Sequence, residues 1–440
     1  MIRRIKSYYI TNKDRVHRLS KESGWILIGQ ITSVMGTLLI VRVLTQYLAP
    51  AEYGDLALGL TLAGLVNQVA LGGVTSGIGR FYSVAIEKGD LWGYLRAAKR
   101  LMIYATFGVV CIAAALLAGL VAIGQTHWLG LTAAVLIFSV LSGYNSAFSG
   151  IQNAARQRAV VAIHSGVDAW LRIGLSILFM RLLGTTSMVV VISYALTALF
   201  VMLSQIYFLK HIFYDQRSSS RYLINEDWAN QIWFFSWPMM VSGLFNWGYY
   251  ASQRWALQLF VSTAEVGKFY ALTQIAYTPI LLGGSLFLSL ITPILYARGG
   301  DLGDQLRLKE TYRTVHRSSI VSLFATFILA FISLLLHKMI FNLFLAPGYQ
   351  VVSIFMPIMV MAAGFMQVSI TMGSIASINN QTSKILPLAI FGNFVIALMN
   401  LFFTSKWAIT GLVFSILIGS LIHLIWMSTI VYGQTKSLQT

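Results

Sequence analysis

The sequence predicts an all-α polytopic membrane protein, with about twelve transmembrane helices arranged as two six-helix lobes. Three observations predict it. Of 440 residues, 57% are hydrophobic and 10% charged, against about 25% charged in an average soluble domain. The apolar residues fall into runs of about twenty, the length a helix needs to cross a hydrocarbon core roughly 30 Å thick. A short motif also recurs after nearly half the chain, as a duplicated lobe requires.

The runs follow one another between charged or turn-forming clusters. A basic N-terminal stretch precedes the first, 24–44, which is longer than the apolar core of a signal peptide and holds Arg42 near its end. Pro50 and Gly54 separate it from the second, 54–78. Arg96, Lys99 and Arg100 open the third, 101–124, and the fourth, 129–150, ends before Arg156 and Arg158. The fifth, 160–183, stops at Gly184, and the sixth, 187–209, stops at Lys210. In the second half the runs are 232–252, 269–292, 320–341, 351–377, 385–403 and 407–431. All are too long and too uniformly apolar for a membrane barrel, whose segments alternate over about ten residues. The connections average about 14 residues if each span takes about 21, so no extramembranous domain fits. The expected organisation is a basic segment 1–23, an N-lobe 24–209, a linker 210–231 marked by Ser218, Ser219 and Ser220, a C-lobe 232–431 and a tail 432–440.

A net charge of +17 would suit nucleic acid only if a folded soluble surface carried it. No such surface fits, so the charge reads as topology. With the N-terminus inside, 24 of the 31 lysines and arginines fall in the tail and the inner loops, which places both termini in the cytoplasm. The same charge attracts anionic lipid headgroups, and Ile2, Ile5 and Tyr9 share a helical face among Arg3, Arg4 and Lys6 that suits an inner membrane surface. Cys111, the sole cysteine, excludes an intrachain disulfide framework.

The repeated motif is Ala51-Glu52-Tyr53-Gly54 after the first span and Ala264-Glu265-Val266-Gly267 after the seventh, 213 residues on. An arginine, Arg42 or Arg254, stands ten or eleven residues before each glutamate. Six spans per copy give both copies one orientation, the pattern of parallel repeats about an axis along the membrane normal.

A charge inside a membrane demands a partner or a function. His164, Asp168 and Arg172 recur every four residues on one face of the fifth span. Asp168 precedes Arg172 in the favourable order for an intrahelical ion pair. The set reads either as a self-neutralised structural pair or as a coupling site, with Asp168 and His164 taking a proton or sodium ion and Arg172 an anion. Arg42, Arg80, Arg172 and Arg254 leave an excess of cations over intramembrane carboxylates. Planar guanidinium forks suit phosphate oxygens, so a phosphate-bearing substrate is expected. Asn246, Tyr249, Tyr250 and Gln253 lie beside Arg254 on the seventh span and offer hydrogen bonds and aromatic surface of the kind sugars use. Helix-packing contacts are the alternative for these four. Gln30, Ser33 and Thr37 share a face of the first span more weakly. There is no phosphate-loop motif, no nucleophile elbow and no histidine pair at metal-ligand spacing, so neither metal nor cofactor is expected.

Arg42-Val43-Leu44 through Ala51-Glu52-Tyr53-Gly54 to Arg80-Phe81-Tyr82 resembles the opening of the polysaccharide-biosynthesis transporters, the O-antigen flippase branch of the multidrug/oligosaccharidyl-lipid/polysaccharide exporters. Leu345-Ala346-Pro347-Gly348-Tyr349, Asn379-Asn380-Gln381, and Asn400 followed by Trp407-Ala408-Ile409-Thr410-Gly411 resemble that family's later signatures. The resemblance implies a two-lobed flippase in a bacterial inner membrane. It would carry polyprenyl-diphosphate-linked oligosaccharide from the inner to the outer leaflet by alternating access, with a polysaccharide polymerase as a candidate partner. The family pattern often sets an acidic residue before the arginine of span seven. Gln253 stands there instead, which speaks against acid-based ion coupling at that position. The alternatives are a multidrug or cation antiporter of the related branch and, behind it, a membrane glycan polymerase or ligase.

Overall fold

The computed structural model describes residues 13–215, 227–299, 305–378 and 385–436, and among them every regular element is helical. Helix α1 is Lys13–Tyr47, and α2 runs from Pro50–Leu65 through a π-helical segment, Val66–Ala70, to Leu71–Glu87. Helices α3 (Leu91–Ala122), α4 (Leu129–Ala154), α5 (Arg158–Leu183) and α6 (Ser187–Asp215) complete the N-half. The C-half opens with α7 (Trp228–Phe260), then α8, which joins Thr263–Leu272 and Thr278–Gly299 through a second π segment, Thr273–Tyr277. Helix α9 (Gln305–Phe344) leads through the 3₁₀ turn Pro347–Phe355 to α10 (Met356–Ile378). The third π segment, Leu388–Gly392, starts α11, which continues to 406; α12 is 409–436, the second arm of Asn393–Lys436. The face of Ile2, Ile5 and Tyr9, the linker serines, and Asn379, Asn380 and Gln381 lie outside the described residues.

Among the described residues, nine segments are long and apolar enough to cross a membrane. One of them, 46 residues long, folds back on itself. The fold-back lies at Trp407 and Ala408, where Ala408 takes φ 50°. Gly411 is obligatory there, because a Cβ would run into the Phe403 carbonyl. The long helices missing from those nine are α5 and α7. Both are too polar by composition, and they are the helices that carry most of the candidate site residues.

Helix ends follow caps rather than the limits of apolar runs. Asp90 accepts a hydrogen bond from the Gly93 amide at 2.9 Å and starts α3 ten residues before its apolar run. Asp227 caps α7 in the same way, accepting from the Asn230 amide at 3.2 Å. Arg42, Arg80 and Arg254 therefore lie inside helices that continue past them, not at helix ends as the apolar runs alone suggested.

The motif copies pack on each other. A Cβ on Gly54 would strike the Thr263 carbonyl, and one on Gly267 would strike the Pro50 carbonyl. Adding 213 to 50 and 54 gives 263 and 267, so the same two positions meet with their roles exchanged. Each glycine thus packs against the first turn of the helix that carries the other copy. Small residues matter here because lipid gives helices no hydrophobic drive to associate, and close backbone approach supplies the packing instead.

The buried cores divide unevenly. At the end holding both motif copies, here the motif end, one cluster runs through both halves, with Tyr53, Leu56 and Ala57 beside Val266, Phe269 and Tyr270. At the opposite, linker end two separate clusters form. One joins Ile78, Tyr82 and Tyr94 to Trp228 and Ile232 of α7; the other gathers Val315, Ile375, Leu388 and Met427. The gap between those two is the setting of the site.

Candidate functional site

A cavity of about 630 Å³ lies between α2 and α7 on one side and α10, α11 and α12 on the other. Its walls include Gln68 and Ser76 of α2, Ser242 and Asn246 of α7, Ser369 of α10, Asn393 of α11 and His423 of α12. Met239 and Ile370, also in the walls, are 45% and 43% exposed, so the cavity is not sealed. Asn246 Nδ2 donates to Gln68 Oε1 at 2.8 Å and joins α7 to α2 within one wall. Asn393 Oδ1 lies 3.0 Å from His423 Nε2, and the Ser369 hydroxyl donates to the His423 carbonyl at 3.2 Å.

A second cavity of about 260 Å³ lies farther toward the motif end, between α7 and α8. Tyr250, Gln253 and Arg254 line it from α7, and Thr273, Gln274 and Tyr277 from α8. Arg254 Nη1 donates to the Ala57 carbonyl of α2 at 2.9 Å, and its guanidinium lies 4.5 Å from the centre of the Tyr270 ring. Trp255 Nε1 donates to Thr61 Oγ1 at 2.9 Å and Trp247 Nε1 to the Thr61 carbonyl at 2.7 Å. Together with Asn246, these residues make a seam in which α7 supplies every donor and α2 every acceptor.

Among the described residues, all three π segments border a cavity. Gln68 comes from the first, Thr273, Gln274 and Tyr277 from the second, and Leu388 and Ala389 from the third. A π turn widens the helix by one residue and shifts the side-chain register, and such turns cluster at functional sites. Close approach helps as well, since a Cβ on Gly243 would lie 2.6 Å from the Gln68 carbonyl.

The four arginines do not converge. Arg254 alone among them borders one of these two cavities. Arg42 donates to the Leu345 carbonyl at 2.8 Å and the Asn342 carbonyl at 3.3 Å, a cation on the last turn of α9. Arg80 is exposed on α2, one turn past Ser76 at the edge of the larger cavity. Arg172 stays in the N-half, 2.9 Å from Asp168, with its guanidinium 5.3 Å from Phe138 and 5.2 Å from Tyr194. His164 has Nδ1 2.9 Å from the Val160 carbonyl and Nε2 3.0 Å from the Ser204 hydroxyl, in a separate pocket of about 130 Å³ between α5 and α6. The α7 quartet also divides: Asn246 faces the larger cavity, Tyr250 and Gln253 face the smaller, and Tyr249 is buried edge-on to Tyr250.

Sequence reasoning missed Gln68, Ser242, Ser369, Asn393 and His423. Of these, His423 carried a usable signal, an ionisable side chain within an apolar run. Gln68 lies in a π turn and Asn393 directly after one, and π turns leave no pattern in the sequence; Ser242 and Ser369 lie on regular helices, where a lone serine reads equally as a packing contact.

The sequence profile described as "Polysaccharide biosynthesis protein" matches residues 19–295. The chain belongs to the polysaccharide biosynthesis protein family. No curated protein matches it. Among solved structures, this family member is similar to an outward-facing multidrug resistance MATE family transporter of the MOP superfamily, with TM-score 0.60 and 14% identity over 94% of this chain and 97% of that one. It is about as similar to an inward-facing one, with TM-score 0.59 and 13% identity over 96% and 99% of the two chains. A MATE transporter of Vibrio cholerae in its bent form gives TM-score 0.56 at 15% identity over 98% of each chain. At these identities the likeness establishes a shared fold.

Proposed function

We propose that this family member is a flippase that moves polyprenyl-diphosphate-linked oligosaccharide from the inner to the outer leaflet by alternating access. One observation carries the reading: a single core closes the two halves at the motif end, while at the linker end an unsealed polar cavity parts α10, α11 and α12 of the C-half from α2 and the α7 helix packed on it. With about twelve crossings and cytoplasmic termini, as the lysine and arginine distribution favours, this is the state that loads from the inside. The reciprocal packing of Gly54 and Gly267 supports two parallel lobes that rock about the motif end.

In this reading the glycan enters the larger cavity, Arg254 and Arg80 serve the diphosphate, and the polyprenyl tail stays in lipid. Opening the motif end withdraws the Ala57 carbonyl from Arg254 and frees a donor for phosphate oxygens as the substrate arrives there. Arg42 and Arg172 act one step removed, on the α9 terminus and inside the N-half. With the cell interior negative, each negative charge carried outward gains about 2.3 kcal/mol per 100 mV, a driving force that needs no nucleotide. Exchange for a proton or sodium ion through Asp168 and His164 is the candidate supplement.

The MATE-like fold keeps cation antiport as the second reading. Against it, neither cavity has a carboxylate among its described lining residues, and Asp168 is already held by Arg172. The deciding experiment removes the protein and follows completed lipid-linked oligosaccharides with a glycan probe restricted to the outer leaflet, before and after permeabilisation. Units reachable only from inside support the flippase. Normal outer-leaflet delivery, with no redundant carrier, defeats it and moves antiport to first place.

A further inference from the structure

We propose that the larger cavity is a saccharide chamber selective for uncharged sugars, such as neutral hexoses or N-acetylhexosamines, and that it excludes uronic acids. The inference rests on the flippase reading and narrows its substrate class.

The chamber's described walls contain no aspartate, glutamate, lysine or arginine. Polar contact comes instead from Gln68, Ser242, Asn246, Ser369 and Asn393, carried on four different helices. Amides and hydroxyls both donate and accept hydrogen bonds, and so do sugar hydroxyls and acetamido groups. A carboxylate only accepts, and here it would lose its water without gaining a counter-charge. His423 is the ionisable side chain in these walls, and its Nε2 is engaged with Asn393 Oδ1 at 3.0 Å. An Nε2–H donating to that oxygen satisfies the neutral ring and leaves Nδ1 as an acceptor.

Apolar wall comes from Met239, Met366, Ile370 and Met427. Methionine adapts its shape to irregular surfaces, and the C–H faces of pyranose rings supply such surfaces. The volume of about 630 Å³ lies within the usual range for ligand pockets, roughly 300–1,000 Å³.

The cations flank this chamber rather than enter it. Arg80 is four residues past Ser76 on α2, and Arg254 eight residues past Asn246 on α7, which at 1.5 Å per residue is about 6 Å and about 12 Å along the helix axes. Charge recognition is thus displaced to the chamber's ends, where the diphosphate belongs, and the described walls of the middle are neutral.

The test uses the full-length protein in nanodiscs and three synthetic ligands with one polyprenyl diphosphate tail. One ligand carries a neutral disaccharide, one a disaccharide ending in a uronic acid, and one no sugar. Intrinsic tryptophan fluorescence reads the dissociation constants. The expected result is that the neutral glycan binds at least about tenfold more tightly than the uronate, the scale of one charge-dependent contact. Ser76→Arg, at an exposed wall position, is expected to narrow that gap by strengthening uronate binding. Equal or tighter uronate binding by the unaltered protein overturns the neutral chamber while leaving the flippase reading in place. If no ligand binds more tightly than an ordinary anionic phospholipid, the flippase reading itself falls and the chamber with it.

Discussion

At the motif end, Tyr53, Ala57, Val266, Phe269 and Tyr270 share one core across both halves, whereas at the linker end two cores stand apart with a polar cavity between them. The seal is made of backbone approach at glycines, ring contacts and hydrogen bonds onto carbonyls. Tyr53 meets Tyr349 edge-on at 5.7 Å, and the Tyr349 hydroxyl donates to the Leu48 carbonyl at 2.8 Å. None of these contacts is an ion pair between halves. Parting such a seal separates no pair of opposite charges; it leaves dipoles for water to satisfy and takes from Arg42 and Arg254 the carbonyls they bond across the halves.

The largest effect is expected from overfilling the seal. Gly54→Val or Gly267→Val forces side-chain atoms against the opposing backbone carbonyl, a strain on the order of 1–3 kcal/mol or more. Closure at the motif end is expected to fail and transport to stop. In a Cys111→Ser background, Val266→Cys reports it: Val266 is fully buried and should react with an impermeant maleimide only once the seal is open. If valine at Gly267 leaves Val266→Cys unreactive, the glycines are not what lets the halves close.

Arg254 sits where the seal meets the smaller cavity, so its loss sharpens the comparison. Arg254→Ala removes the bond to Ala57 and the stacking on Tyr270. Flipping is expected to fall by at least about tenfold, the equivalent of one charge-assisted hydrogen bond of about 1.4 kcal/mol. Arg254→Lys should recover part of it, because an ammonium keeps the charge without the planar fork. Flipping that survives Arg254→Ala in normally folded protein would remove the main support for a cationic diphosphate site.

What the sequence disclosed and what it withheld separate along the same line. Spans were legible because a hydrocarbon layer fixes their length, and the Asp168–Arg172 pair was legible because it is local, one turn of one helix. The motif copies were visible as a repeat, but not the exchange of contacts between them. Glu52 gave no hint that it accepts a hydrogen bond from the Ser187 amide at 2.7 Å and so starts α6. Arg42 looked like a substrate ligand because its acceptor, Leu345, lies 303 residues away. The chamber was least legible. Its Gln68 and Asn393 are placed by π turns, which depend on tertiary packing more than on local residue preference.

A smaller effect is expected at the N-half ion pair. Asp168 and Arg172 are each about a quarter exposed, so breaking the pair should cost less than for a fully buried one, roughly 1–3 kcal/mol. Asp168→Asn alone leaves Arg172 uncompensated, and Arg172→Gln alone leaves Asp168 so. The double variant is expected to melt closer to the native protein than either single one. If Asp168→Asn melts normally yet abolishes ion-dependent flipping, the pair is a coupling site and not only a structural one.

The smallest effect tests the seal at its edge. Tyr349→Phe keeps the ring against Tyr53 and deletes only the hydroxyl that donates to Leu48. A single neutral hydrogen bond contributes about 1 kcal/mol, so the melting temperature should fall by a few degrees while the cavity is untouched. Because that bond exists only when the motif end is closed, its loss should shift the conformational equilibrium toward opening by about fivefold, from 1 kcal/mol at 298 K. Maleimide labelling of Val266→Cys should therefore quicken by about that factor, and far less than in Gly267→Val. Labelling that stays at the native rate would mean the Leu48 carbonyl finds another donor at once, and that the seal is held by its glycines and rings alone.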